Sequence, residues 1–322
     1  MLLLIVMHSS FFFKIFPPPR FLLMPYVGID VSDDAVTFLT YSSPIGDRKI
    51  LSYGKVPLDP SVMDGGDIKD EGKLISILSD IARMHGLLYA KLSIPEEKAY
   101  LFETEVPLDD ARSISQNIEF KLEENIPLAV ADTVFTFDLL PGNHTRPWRA
   151  SVSAVPKTYI EHMMSIFRKA GIIPMSFETA PRAIARVVSY AGSGDVLVIH
   201  TMRRKTGVYI VSEHAVGFTS TISAGSTESD LSAYTDIVAS EIHRVYSYWL
   251  GKTGAESRPI QKVIVIGYDA EHIAAILRTK VVESVIVSEA DIWSAAFDLN
   301  KYVPPIMKVD SLEYGVAAGL AL

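Results

Sequence analysis

The chain has 322 residues, 48% of them hydrophobic, which is enough to bury a sizeable core and by length suggests about two domains. Its net charge of −8 argues against nucleic acid as the main ligand, because phosphate backbones need clustered Lys and Arg. The absence of cysteine excludes disulfides, thiolate catalysis and Cys-ligated zinc.

Residues 1–24 stand apart from the rest. Met1–Met7 and Phe11–Phe13 are apolar, but His8, Ser9, Ser10 and Lys14 interrupt them and Pro17–Pro19 end the run. That falls short of the ~20 apolar residues a spanning helix needs. A basic start and a small-residue cleavage site are not evident either. The segment reads as an over-long gene start with Met24 as initiator; a membrane-touching tail, and behind it a signal peptide, are the alternatives.

From there the elements run in order. Tyr26–Val31, Val36–Tyr41 and Lys49–Tyr53 read as strands, the first two separated by Ser32-Asp33-Asp34. Leu74, Ile77, Leu78 and Ile81 fall at helical spacing before Gly86, and Lys91–Ile94 is a short strand. Ala99–Val106 predicts a strand and Asp109–Asn125 a helix, with Asp109 or Asp110 as N-cap and Pro127 as its stop. Thr133–Leu139 and Arg149–Val155 are strands joined by Pro141-Gly142-Asn143, and Lys157–Ala170 is a helix closed by Gly171. The first pattern then returns. Asp195–Ile199, Gly207–Val211 and Val216–Ser223 are strands, and Ser229–Leu250 is a long helix with Gly251 at its C-cap. Val263–Ile266 is a strand and Glu271–Thr279 a helix. Three strands, a helix and a strand, occurring twice, predict a duplicated α/β unit with a small strand–helix–strand–strand module inserted in the first copy.

Several segments resemble the PilM family of type IV pilus assembly proteins, within the actin-like ATPase superfamily. Phe120-Lys121-Leu122-Glu123-Glu124-Asn125-Ile126-Pro127 is similar to the family's FELEKYIP helix end, with Asp132 and Phe135–Asp138 continuing it. Leu92-Ser93-Ile94-Pro95, Glu105-Val106-Pro107, Ser153–Lys157 and Lys169–Pro174 resemble the borders of the inserted subdomain. Glu241–Trp249 is similar to the EIxRSLxYY helix, and Tyr314–Leu322 to the closing helix. The resemblance implies an α/β fold of two ribonuclease H-like lobes. These would span residues 25–190, with the insert at about 95–155, and 191–322, the second lobe trimmed of the subdomain that roofs the cleft. It also implies a cytoplasmic protein, peripheral on the inner membrane. Such a protein binds the N-terminal tail of a PilN-like bitopic membrane protein, together with other pilus platform proteins.

The resemblance further implies ATP and Mg²⁺ between the lobes. The residues expected to bind them are Asp30 and Ser32 in the first turn, Glu241 and Arg244 for ribose and adenine, and Gly267 beside the base. Asp30 is also the expected metal residue, since Mg²⁺ favours oxygen ligands. The turns depart from the pattern. Val31 and Ser32 follow Asp30 where a glycine is expected, and Asp33 and Asp34 add negative charge. In the second turn, His200–Lys205 offers no carboxylate and no glycine, while Arg203, Arg204 and Lys205 are either phosphate clamps or an exposed tip. Asp33-Asp34 is either a metal-assisted phosphate loop or a solvated turn; Glu241 and Arg244 are either ribose contacts or a plain ion pair on a helix face. These losses argue against hydrolysis, leave weak nucleotide binding open, and name no catalytic residue. No zinc-helix pattern and no nucleophile elbow occurs, and Gly251-Lys252-Thr253-Gly254 lacks the first glycine of a P-loop. The expected role is a scaffold, with an active actin-like ATPase or kinase, or an FtsA-like division protein, as the alternative. The resemblance implies that the partner tail docks between the inserted module and the first lobe, with candidate lining residues on Ile114–Leu122 and Phe135–Leu139 and subdomain core as their alternative reading.

Overall fold

The computed structural model describes residues 26–42, 48–107, 111–140, 148–188, 195–212, 215–226, 230–253, 260–281 and 285–322. Residues 1–24, the two candidate caps Asp109 and Asp110, and the Pro141-Gly142-Asn143 turn lie outside these.

Val27–Val31 (β1), Ala35–Tyr41 (β2) and Ile50–Pro57 (β3) form an antiparallel meander. Met63–Asp64 (β4) and Asp67–Ile68 (β5) make a small hairpin whose tip, Gly65-Gly66, takes φ of 58° and 73°. Both are positive, as a tight I′-type turn demands. Glu71–His85 (α1) starts where the Asp70 side chain accepts the Lys73 N–H at 2.9 Å and ends at Gly86 with φ 64°. Its buried Leu74, Leu78 and Ile81 face β1 and β2 through a shared core. Tyr89–Ile94 (β6) then pairs parallel with β1.

Tyr100–Val106 (β7), Ala111–Asn125 (α2), Thr133–Leu140 (β8) and Trp148–Pro156 (β9) build the inserted module, a sheet of order β7–β9–β8. Its core joins Ile114, Ile118 and Leu122 to Ala150, Val152 and Ala154. The residues expected to line a partner groove are therefore mostly spent on the module itself: the helix positions are buried, and Phe135, Phe137 and Leu139 pack against them.

Lys157–Lys169 (α3) leads into a strand and helix the sequence did not predict, Ile173–Thr179 (β10) and Ala180–Val188 (α4). The second half repeats the first. Val196–Thr201 (β11), Thr206–Ser212 (β12) and Ala215–Ile222 (β13) form a meander, Leu231–Thr253 (α5) follows, and Lys262–Gly267 (β14) pairs parallel with β11. Ala270–Lys280 (α6), Ile286–Glu289 (β15), Ile292–Ala296 (α7), Lys308–Ser311 (α8) and Gly315–Ala321 (α9) complete the chain. Gly251 does not cap α5: the helix runs on to Thr253, and among the described residues Gly251 is not one of the positive-φ glycines. Helix ends commonly shift by a residue or two against sequence signals.

The two large sheets have the same strand order, β10–β6–β1–β2–β3 and β13–β12–β11–β14–β15. In each, the first strand is central, with the antiparallel meander on one side and parallel strands on the other. Packing interleaves the halves. α4, from the first half, is buried in the second lobe's core, whereas α9, from the chain's end, packs on β1 and β2 as well as on α4. No helix among the described residues is long and apolar enough to cross a membrane.

Candidate functional site: the cleft between two duplicated turns

Each lobe turns its first hairpin toward the other. In the first, the Ser32 N–H donates to the Ala35 carbonyl at 3.0 Å and the Ser32 hydroxyl is bound back to Ala35 at 3.2 Å. In the second, the Met202 N–H donates to the Lys205 carbonyl at 3.0 Å. The closing pairs, Val31↔Val36 and Thr201↔Thr206, are equivalent, so Asp33 and Asp34 occupy the positions that Arg203 and Arg204 occupy in the other copy.

These turns meet. The Lys205 ammonium lies 3.3 Å from Asp33 and also pairs with Glu97. Arg204 reaches Asp64 at 2.6 Å, Asp34 at 3.8 Å and the Asp33 carbonyl at 3.3 Å. The Arg203 N–H donates to Asp34 at 2.8 Å, while its guanidinium lies 4.4 Å from the Tyr268 ring centre. Asp33 also accepts the N–H groups of Gly65 and Gly66 at 3.1 and 2.9 Å. Burial divides the turns: the Lys205 and Asp33 side chains are only 13% and 8% exposed, whereas Arg203 and Arg204 at the tip of the basic turn are exposed.

A second layer lies beneath. Glu96 accepts from the Tyr209 hydroxyl and from Thr221 at 3.1 Å, and His200 Nδ1 sits 3.1 Å from the Tyr209 hydroxyl. Burial would raise the Glu96 carboxyl, but His200, Tyr209 and Lys205 more than offset it and hold Glu96 below the ordinary glutamate value. Burial, with Glu96 alongside, pushes the Tyr209 phenol well up. Lys205 would be lowered by burial, yet Glu97 and Asp33 keep it raised.

The expected site residues divide into two groups. Asp30, on β1, faces this layer; burial pushes its carboxyl up, against the pull of the Ser93 hydroxyl, His200 and Lys205. Ser32 holds its own turn. Gly267 closes against the second turn: it pairs with Thr201, has φ 112°, and an added Cβ would meet the Thr201 carbonyl at 2.1 Å. Glu241 and Arg244 form the second group, on α5. Glu241 is buried, accepts from Ser220 at 3.1 Å and pairs with the outward-facing Arg244 at 2.6 Å, so only half of the pair is solvated. Sequence reasoning passed over Glu96, Glu97, Tyr209 and the Asp64–Asp67 hairpin. Asp64-Gly65-Gly66-Asp67 carries a hairpin signal that marks the last of these.

An ATP·Mg²⁺ complex does not fit this arrangement. Two of the second turn's cations, Lys205 and Arg204, are taken up by carboxylates, and the first turn presents carboxylates where phosphates would lie. Among the described residues no group of three or more His, Asp or Glu has the geometry to hold a metal ion.

A separate cavity of about 550 Å³ opens between the module and the second lobe. Leu101, Phe102 and Glu103 of β7, Arg149 of β9, Phe218 of β13 and Tyr248 of α5 line it. β7 and β13 are edge strands of their sheets.

The duplicated sheets, the facing hairpins and the crossed helices define an actin-like ATPase fold with an inserted α/β subdomain. No protein-family model and no curated protein matches the sequence. Among solved structures, the chain is similar in fold to a chain of a PilM–PilN type IV pilus biogenesis complex, at TM-score 0.75 and 15% identity over 94% of this chain and 98% of that one. The cytoplasmic domain of EpsL, an inner-membrane component of the type II secretion system of Vibrio cholerae, matches at TM-score 0.50 and 10% identity, over 91% of this chain and 94% of that one. The ethanolamine utilization protein EutJ from Carboxydothermus hydrogenoformans matches at TM-score 0.50 and 11% identity, over 95% and 90%.

Proposed function

We propose that this chain is a non-catalytic scaffold of a type IV pilus assembly platform, held on the cytoplasmic face of the inner membrane by its partners. The observation that carries this reading is the likeness to the PilM–PilN complex along nearly the whole of both chains. The partner is a PilN-like bitopic membrane protein, bound through its N-terminal tail. The cavity beside β7 and β13 supports a peptide ligand: its volume, about 550 Å³, lies within the range of ligand sites, and unpaired strand edges suit an extended chain. Phe102, Phe218 and Tyr248 supply the apolar wall, and Glu103 and Arg149 the polar contacts.

Calorimetric titration of the full chain with the N-terminal tail peptide of a PilN-like protein encoded nearby, and separately with ATP·Mg²⁺, tests the reading. Saturable peptide binding is expected, weakened about 10-fold or more in Phe218→Glu, which removes an apolar wall of the cavity, together with no ATP turnover. Turnover of ATP without peptide binding overturns the scaffold reading.

A further inference from the structure

We propose that the chain's own ion pairs do the work of a nucleotide in this cleft, so that the two lobes stay closed with no ligand between them. The two equivalent turns carry opposite charge, and they neutralise each other across the gap. Lys205 joins Asp33 and Glu97, Arg204 joins Asp64 and Asp34, and the Arg203 N–H joins Asp34. Each of these contacts ties a residue of the second lobe to one of the first. Below them Glu96 ties its own lobe to Tyr209 and Thr221 of the other.

A bridging anion requires the reverse distribution, with donors or cations on both sides facing the middle. Here one side is anionic and its carboxylates already hold Lys205 and Arg204 of the other side. The Gly65 and Gly66 amides, well suited to an anion, are taken by Asp33. A triphosphate entering the gap would have to displace Asp33 and Glu97 from Lys205 and then lie against four carboxylates, those of Asp33, Asp34, Asp64 and Glu97. The Lys205–Asp33 pair is shielded from water and so weakly screened by salt, whereas the Arg204–Asp64 pair is half exposed and more readily screened.

The chain's lack of cysteine allows a direct test. Leu51 on β3 and Ile286 on β15 are exposed and lie on the outer strands of the two sheets. Spin labels on Leu51→Cys and Ile286→Cys in the full chain report the lobe-to-lobe distance by double electron–electron resonance. The expected result is one narrow distribution that millimolar ATP·Mg²⁺ does not move. Lys205→Met adds a longer, broader population. Arg204→Glu, at a half-exposed site that tolerates substitution, does the same, and Asp64→Arg in that background restores the narrow one. A wild-type distribution that ATP·Mg²⁺ shortens or narrows overturns the proposal, because the nucleotide is then what closes the lobes. A distribution unchanged in both Lys205→Met and Arg204→Glu overturns it as well. Neither result bears on peptide binding at the separate cavity.

Discussion

Gly28 lies within β1, ahead of the first turn, and its work is to admit a helix. A Cβ there would stand 2.1 Å from the Ala317 carbonyl and 2.9 Å from the Leu320 Cβ, both on α9. On the opposite side of the same helix, a Cβ at Gly319 would stand 2.0 Å from the Ala183 carbonyl of α4. Two glycines therefore set the distance at which β1, α9 and α4 pack, a contact that sequence spacing does not reveal because its partners are far apart in the chain. Overpacking a tight core costs about 1–3 kcal/mol, and more when the clash is with backbone that cannot retreat. Gly28→Val and Gly319→Val are each expected to lower stability by at least ~2 kcal/mol in urea unfolding, with Gly72→Ala, on an exposed helix turn with room for a Cβ, as the control that leaves stability unchanged or slightly raised. A Gly319→Val variant as stable as wild type would show that α9 does not sit in this groove. Residue by residue, Asp30 and Gly267 were legible as cleft positions. The roles of Asp33, Glu96 and Lys205 were not, since each side chain is explained only by a partner on the other lobe.

Among elements, the periodic ones were readable and the irregular ones were not. α1, α3 and α5 carry apolar residues at helical spacing, and α1 and α3 end on expected signals while α5 runs past Gly251 to Thr253, so their extents agree with the sequence to within a few residues. β10 went unseen because Pro174 and a register shift between Pro174 and Ser176 break its alternation, which is tolerable only because it is an edge strand. α4 went unseen because it is buried almost all round and short, and such a run cannot be told from a strand by period. The two charged turns were each visible, but alone each looked like a solvated tip. Joined, they predict a pH window. Glu96 lies below its ordinary value in the folded state, so its bonds stabilise the fold above the unfolded glutamate value of about 4.3 and are lost as pH falls through the lowered one. Lys205 lies above its ordinary value, so its contribution is complete below about 10.4 and is lost as pH rises through the raised one. Asp30, pushed up by burial, opposes the acid limb, because the folded state holds its proton more tightly. Melting temperature followed against pH is therefore best read as a difference from wild type. Glu96→Gln should remove part of the acid dependence and Lys205→Met part of the alkaline dependence. Parallel curves for wild type and Lys205→Met across pH 9 to about 12 would remove the ion pairs from the account.

For the whole molecule, the division of the sequence near residue 190 follows the chain rather than the packing. α4 belongs to the first half of the sequence but fills the second lobe's core with Ala183, Ile184 and Val187, and α9 returns from the end of the chain to lie on β1. Each lobe thus lacks an element that the other half of the chain supplies, and the cleft pairs join them again at the turns. A two-lobed chain with a small, wet interface would let the lobes move and melt separately; crossed helices and the ion pairs of the cleft predict one cooperative unit. The three tryptophans permit a test, since Trp148 lies in the module and Trp249 and Trp293 in the second lobe. In a Trp148→Phe, Trp249→Phe background, fluorescence reports from Trp293 alone, which is buried and donates to the Ile306 carbonyl at 3.2 Å. Its unfolding curve should coincide with that from far-ultraviolet circular dichroism, which sees both lobes, as two-state behaviour requires. Ala183→Leu, which crowds the α4–α9 contact between them, should lower both midpoints together. Separate midpoints, or a shift confined to Trp293, would mean that the helices decorate two independent lobes instead of locking them into one.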